Sequence, residues 1–504
     1  MNKMLALSLT DYVSALQKAG LFSAFIGNEK EKELLIKQLT FDSRKVCSDC
    51  LFVCKGKRFL PSFLDDAVAA GATAYVAERA YDQVSIPGII VTDVRRAMPV
   101  LAGLFFAKPW EDLQLIGITG TKGKTTTAFY LKAILDDYSL SLGRRESAII
   151  STVGIYDGKG ISKSIFTTPE NIETVGHIRN AVDSGIDFMT MEASSLGIKY
   201  GRVDGIRYNI GIFTNISEDH IDSGEHPNFE DYIEAKLRLF DMSDIACVNL
   251  DADMVDRVLA AASASQKVIT FGTCADADVR GYGIRKEDGL ICFRAVCSDF
   301  DEEFALSMPG FFNVENALAA ITAARALNIP LKYIRSGLLR AKVPGRMEIF
   351  TSRSGMLTAI VDYAHNKLSY EKLFASIQKE YPNCDIVSVF GCSGGKTRLR
   401  RKYLGTIAGQ YSKKVYLVPD DPDYESADDI SKEIAAYLDL QNCPYEIIEN
   451  RGMAIQKAIM GTKSPTVLLI LGKGNEAWIK DHGKDIPYPT DAEYVRETLK
   501  NLLF

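Results

Sequence analysis

Short runs of consecutive apolar residues alternate with segments of helical periodicity along almost the whole chain, which predicts layered α/β architecture. In the first stretch LTFDSRKV, CLFVCKG, ATAYVAE and GIIVTD read as strands, with FLDDAVAAG as an intervening helix. Lys108-Pro109-Trp110 breaks the pattern and marks a boundary. A second stretch opens on the apolar strand LQLIGIT, passes a glycine-rich turn and enters a helix from about Thr125 to Leu135. Strands follow at DFMTMEAS, YNIGIFTNI, IACVNLD and KVITFG, then a helix over NVENALAAITAARAL. Val343-Pro344-Gly345 reads as a linker. The third stretch predicts strands at TAIVDYA, CDIVSVFG, KKVYLVPD, YEIIEN and TVLLILG, with helices near Leu399–Gln410, Ser426–Leu438 and Gly452–Met460. Its unalternating apolar runs suit parallel strands covered on both faces. The division expected is therefore 1–110, 111–345 and 346–504, without internal repeats.

Length supports that division, because 504 residues exceed what one core holds. A content of 47% hydrophobic and 25% charged residues is ordinary for a soluble globular protein. The net charge of −6 leaves no basic footprint for nucleic acid, so any phosphate must be held by a local cluster. Ten cysteines are scattered, some inside apolar runs as at Cys247, and read as buried thiols. The CxxC of Cys47 and Cys50 has no second pair at zinc spacing. MNKMLALSLTDYV is interrupted by Asp11 and makes a poor signal peptide, and no run reaches the ~20 apolar residues of a membrane span. A cytoplasmic location is expected.

The strongest chemical signal is IGITGTKGKTTT, Ile116 to Thr127, placed between a strand and a helix. Phosphate binding needs a turn without side chains, so that main-chain N–H groups and a helix N-terminus face the anion. Gly120 and Gly123 supply the turn, Lys124 a mobile charge and Thr125 a hydroxyl for magnesium. Glu192 ends the strand DFMTME, where parallel sheets gather ligands, and suits magnesium as a hard oxygen donor. NISEDHIDSGEH offers Asp219, His220, Asp222 and His226 after the next strand. Lys236 alone would be read as an exposed helix residue.

These pieces, in this order, resemble the Mur ligase family of ATP-dependent, amide-forming enzymes of peptidoglycan precursor synthesis. The resemblance implies three domains: a smaller N-terminal α/β domain binding UDP, a central P-loop-type ATPase domain with a parallel-rich sheet, and a Rossmann-like C-terminal domain. GTKGKTTT resembles the family's GTxGKT, which assigns Gly120, Thr121, Lys122, Gly123, Lys124, Thr125 and Thr126 to ATP. Asn316, Arg346 and Asp362 match further ATP contacts. Thr125, Glu192 in MEASSLG and His220 in EDHID match magnesium ligands, and Lys236 in YIEAKLRLF matches a lysine carbamylated by carbon dioxide. Lys124, Glu192, His220 and Lys236 are thereby the implied catalytic set.

Within the family the likeness is nearest to the third ligase, which extends UDP-N-acetylmuramoyl-L-alanyl-D-glutamate with a diamino acid. Ser43 and Arg44 in DSRKV resemble its UDP-binding residues, Thr167 and Thr168 in TTPE its muramoyl-peptide contact, and Ser194 and Arg202 its peptide carboxylate contacts. Arg398, or Arg400 given spacing one residue short, matches the arginine that meets the amino-acid carboxylate. LGKGNEAW resembles GKGHE, with Gly472, Glu476 and Asn475 in place of the histidine. The segment Asp420-Asp421-Pro422-Asp423 stands where diaminopimelate enzymes carry DNPR. An acid at 423 repels a distal carboxylate and attracts an ammonium, which favours L-lysine, or ornithine, over diaminopimelate. The implied cofactors are ATP and magnesium, the partners are the UDP-muramoyl dipeptide and a free diamino acid, and a monomer is expected. Another amide ligase on this scaffold, of folylpolyglutamate or cyanophycin type, and a nucleotide-binding regulator without ligase activity are the competing readings.

Overall fold

The computed structural model describes residues 7–56, 59–218, 221, 225–395 and 398–501. Among these residues the strands form three main sheets, each with helices on its faces. The first runs, in spatial order, Phe22–Ile26, Gly88–Val91, Ala72–Ala77, Cys50–Val53 and Gln38–Thr40; only its Phe22–Ile26 edge is antiparallel. The second is parallel across Ala148–Ile150, Phe188–Glu192, Gln114–Thr119, Tyr208–Phe213, Ser243–Asn249, Lys267–Gly272 and Val279–Glu287. It then continues as an antiparallel meander through Leu290–Val296 and Asp301–Leu306. The third orders Glu348–Thr351, Leu357–Asp362, Thr466–Leu471, Asp385–Phe390, Lys414–Leu417 and Tyr445–Ile447, parallel except at its first edge.

Thr466–Leu471 lies mid-sheet and all six of its residues are buried, as its unbroken apolar run predicts. LTFDSRKV departs from expectation. Its strand stops at Thr40, because the Asp42 carboxylate accepts from the Arg44 amide at 3.1 Å and turns the chain into a 3₁₀ segment, Ser43–Lys45. The helix from Thr125 runs longer than expected, over Lys124–Ser141. The predicted linker is also not a loose joint. One apolar core passes from Ile118 and Leu131 through Leu338, Val343 and Met347 to Ile360, Tyr370 and Leu469. Polar contacts cross at the same place: Glu380 accepts from the amides of Gly310 and Phe311 at 3.2 Å, and Lys372 pairs with Glu315 at 2.9 Å.

Candidate functional site

The strand Gln114–Thr119 delivers the chain to Gly120, from which the loop turns into the helix beginning at Lys124. Gly120 (φ 143°) and Gly123 (φ 84°) occupy the left-handed region that favours glycine. A Cβ on Gly120 would stand 2.0 Å from Thr214 Oγ1, and one on Gly123 would stand 2.1 Å from Asn316 Oδ1. The next strand pins the loop. Asn215 Oδ1 accepts from the Lys122 amide (2.8 Å), Asn215 O from the Thr121 amide (2.9 Å), and Thr214 Oγ1 donates to Lys122 O (2.6 Å).

Two cations meet the same carbonyl, since Lys124 Nζ and Lys236 Nζ each donate to Gly120 O at 2.8 Å. Lys236 is 1% exposed and lies 4.4 Å over the Tyr232 ring. The exposed position expected from sequence alone is therefore wrong: the helix Phe229–Leu237 turns this face onto the phosphate loop. Glu192, also 1% exposed, accepts from Thr125 Oγ1 and the Thr152 amide, both at 2.9 Å. The Thr125 hydroxyl and Glu192 carboxylate thus converge as hard oxygen donors, the chemistry magnesium takes. Asp219, His220 and Asp222 lie outside the described residues. His226 is fully buried between Asp231 Oδ2 (2.5 Å) and Ser195 Oγ (3.0 Å), which makes it a structural tie.

Beside Glu192 the structure gathers four of the residues matched to peptide binding. Thr152 Oγ1 donates to Thr167 Oγ1 (3.2 Å), Thr168 Oγ1 accepts from the Ser194 amide (2.9 Å), and Arg202 Nη1 donates to Thr168 O (3.1 Å). Lys55, which sequence reasoning missed, joins them from the first sheet. It pairs at 2.7 Å with Glu170, which also meets Arg202 at 3.2 Å. Burial pulls the Lys55 ammonium below its usual range. Ser43 and Arg44 are not part of this group: the Arg44 side chain is 86% exposed and bonded to Asp42.

A cleft of ≈ 310 Å³ separates the phosphate loop from the carboxyl ends of the third sheet. Asn316, Arg346 and Asp362 line it with Lys124, Thr125 and Glu192. Arg346 stacks 4.3 Å over Tyr363, and burial raises the Asp362 carboxyl while nearby Arg346 opposes the rise. On the far wall stand Arg400, Asp420, Asp421, Gly472 and Glu476. Lys473, fully buried, donates to Asp421 Oδ1 (2.8 Å) and Glu476 Oε2 (2.5 Å).

Two sequence assignments move here. Arg398 points away from the cleft, 76% exposed and 3.9 Å from Glu425 and Glu433, whereas Arg400 lines it. Asp423 also faces elsewhere: its Oδ1 accepts from the Gly483 amide at 2.6 Å, and its main chain bonds Lys480 and His482 of the hairpin Trp478–Asp481/Lys484–Pro487. With φ 54° the local backbone aims Asp423 at that hairpin. The CxxC also recedes, because burial pushes the Cys50 thiol up to about 12 and keeps it protonated.

Comparison with known proteins adds the following. Residues 118–324 match the Mur ligase middle domain, and residues 345–474 match the Mur ligase glutamate ligase domain. A UDP-N-acetylmuramyl-tripeptide synthetase of Lactobacillus delbrueckii subsp. bulgaricus is 35% identical, covering 93% of this chain and 94% of its own. A UDP-N-acetylmuramoyl-L-alanyl-D-glutamate–L-lysine ligase of Streptococcus pneumoniae is 35% identical over 96% of this chain and 98% of its own. Among solved structures, a UDP-N-acetylmuramoyl-L-alanyl-D-glutamate–2,6-diaminopimelate ligase superposes with a TM-score of 0.67 at 25% identity, covering 98% and 99% of the two chains.

Proposed function

Since the chain belongs to the Mur ligase family, we propose that it uses ATP to join L-lysine to the D-glutamate of UDP-N-acetylmuramoyl-L-alanyl-D-glutamate. The observation that carries this reading is the cleft itself, with a phosphate loop on one wall and a cluster of carboxylates suited to an ammonium on the other. The relative named as an L-lysine ligase supports the choice of amino acid. So do Asp421 and Glu476, which already hold one lysine ammonium, that of Lys473, and would repel a second carboxylate. This electrostatic role passes from Asp423 to those two residues.

The Gly123 amide and the N-terminus of Lys124–Ser141 receive the triphosphate, while the Thr121 and Lys122 amides, bonded to Asn215, hold the loop in shape. The Lys124 ammonium balances charge as the γ-phosphoryl group passes to the γ-carboxylate of D-glutamate, a contribution worth about 3–4 kcal/mol. Asn316, Arg346 and Asp362 hold the rest of the nucleotide. Thr167, Thr168, Ser194 and Arg202 orient the peptide, with Ser43 and Arg44 on the uridine diphosphate. Arg400 then holds the amino-acid carboxylate while the α-amine captures the acyl phosphate. Fixing both reactants in one cleft is worth about 7–11 kcal/mol. Thr125 and Glu192, with His220, would hold a magnesium ion, which neutralises phosphate charge when bound. A carbamate on Lys236 would add an anionic ligand; the buried, fixed position of that amine suits a permanent modification.

Residues 1–110, 111–345 and 346–504 would then serve the nucleotide sugar, ATP and the amino acid respectively. A monomer working in the cytoplasm fits soluble substrates, and no described helix is long and apolar enough to cross a membrane. The test is phosphate release by the purified chain given ATP, magnesium, the UDP-muramoyl dipeptide and each candidate amino acid. L-Lysine should support turnover and diaminopimelate should not; ATP left intact with every amine sinks the reading.

A further inference from the structure

Resting on the ligase reading above, we propose that Asp420 is the general base that takes the proton from the incoming amine. Asp420 follows the strand Lys414–Leu417 at the wall of the cleft. Its Cβ stands 3.0 Å from where a Cβ on Gly391 would be, and its Oδ2 lies 2.1 Å from where one on Gly472 would be. The side chain thus crosses the carboxyl end of Asp385–Phe390 and places its carboxylate beside that of Thr466–Leu471. Both glycines leave the room it occupies.

Asp420 is 6% exposed as a residue, and its carboxylate accepts no hydrogen bond among the described residues. Other buried acids of this protein are bonded: Glu192 to Thr125, Glu380 to two amides, Asp491 to Arg451. The Asp420 oxygens are not sealed in the interior but open onto the cleft, where an incoming group can meet them. The cations nearest Asp420 make their hydrogen bonds to other groups, and Arg451 Nη1 makes none among the described residues. Arg451 forks onto Asp491 at 2.7 and 2.8 Å and donates to Leu471 O, while Lys473 serves Asp421 and Glu476. Asp421, Glu476, Tyr363, Tyr370 and the Cys392 thiol also face it. Burial, joined by like charge from Asp421 and Glu476, pushes its carboxyl up to about 6 against the pull of Arg451 and Lys473. A base of that strength suits proton transfer near neutral pH.

The step balances. The α-ammonium gives one proton to the Asp420 carboxylate and becomes a neutral amine. Its lone pair forms the C–N bond to the acyl carbon, and the C–O bond to phosphorus-bound oxygen breaks, its electron pair leaving with phosphate. The second nitrogen proton departs on hydrogenphosphate, and Asp420 returns its own to water as product leaves.

The experiment compares wild type with Asp420→Asn, full-length, with ATP, magnesium and the UDP-muramoyl dipeptide, using two nucleophiles. L-Lysine must be deprotonated before attack, whereas hydroxylamine is already mostly uncharged at neutral pH. Asp420→Asn should lose lysine ligation by about a hundredfold to ten-thousandfold while keeping hydroxamate formation within a few-fold. Lysine ligation within tenfold of wild type, or parallel loss of both products, overturns the proposal. If the variant does not fold, the wild-type pH profile decides: a rising limb at about 6 for lysine that methoxyamine, a nucleophile uncharged well below that pH, lacks supports it, and a limb shared by both overturns it. Wild type that forms neither product overturns the ligase reading, and this proposal with it.

Discussion

At the glycine-loop end of the cleft the main chain dominates: Asn215 takes the Thr121 and Lys122 amides, Thr214 donates to Lys122 O, and the first turn of the helix from Lys124 lines the cleft. At the opposite end, proposed above to take the amino acid, stand side-chain carboxylates, Asp420, Asp421 and Glu476, crowded around one buried lysine. The first arrangement fixes geometry and tolerates no added atoms, as the 2.0 and 2.1 Å approaches at Gly120 and Gly123 require. The second stores like charge at close range, so its preference can be changed by single substitutions. On the function proposed above, activation would rest on backbone and selection on charge.

The largest effect should come from removing the Lys124 charge at the glycine-loop end. Lys124→Ala should lower ATP-dependent turnover by at least about a hundredfold, while the melting temperature stays near wild type. Retained phosphate release would show that loop amides alone suffice. At the other end, Asp421→Asn should raise KM for L-lysine about tenfold or more, the value of a charge-assisted bond at about 1.5–3 kcal/mol. It should also narrow the preference for lysine over diaminopimelate, read as the ratio of kcat/KM values. An unchanged ratio would remove the electrostatic account of selection.

A smaller effect tests how the selecting end is held in place. Arg401, 2% exposed at its side chain, bonds Glu425 at 2.6 and 2.9 Å and Glu433 at 2.7 Å. Glu425 also accepts from the Gly395 amide and so ties down the loop that leads to Arg400. The Arg401 bonds hold the Glu425 carboxyl down to about 2, below the 4.5 of a free glutamate. A group depressed in the folded state adds stability above its unfolded value, and that stability is lost as pH falls. Between about pH 4.5 and 2 the melting temperature of wild type should therefore drop faster than that of Glu425→Gln. Parallel slopes would mean the tie carries no linkage.

The contrast also explains what was legible in the sequence. Backbone sites need glycines at fixed spacing between a strand and a helix, so Gly120 to Thr125 could be read directly. The parallel sheets announced themselves as unbroken apolar runs, as in TVLLILG. The helix Val94–Phe105 was hidden because Pro99 sits inside it; burial of Ala97, Leu101 and Phe105 and an Asp93 cap hold it nonetheless. Charge-built sites depend on which way a side chain turns, and that depends on contacts distant in sequence. Lys236 looked exposed until the fold laid its helix on Gly120, and Lys55 carried no signal until Glu170, at the start of the helix Asn171–Asp183, came across to it. Arg398 and Arg400, two residues apart, fall on different sides of the same turn for the same reason.

Asp423 gives the finest test of this division. Asp421 of the same acidic segment reaches both the cleft and the Lys480 amide of the hairpin, but Asp423, unlike Asp420 and Asp421, does not line the cleft. Its left-handed backbone turns the carboxylate onto the Gly483 amide and away from the cleft. Asp423→Ala should then behave as a structural change, costing about 1 kcal/mol for one lost hydrogen bond and loosening the hairpin from Trp478 to Pro487. KM for L-lysine should stay within about twofold, because Asp421 and Glu476 still supply the field the substrate meets. Asp423→Arg extends the test, since it adds a cation beside Lys480, which already lies 3.8 Å from the carboxylate. Stability should fall further while amino-acid preference holds. A switch toward diaminopimelate in that variant would mean the hairpin opens and residue 423 reaches the substrate after all.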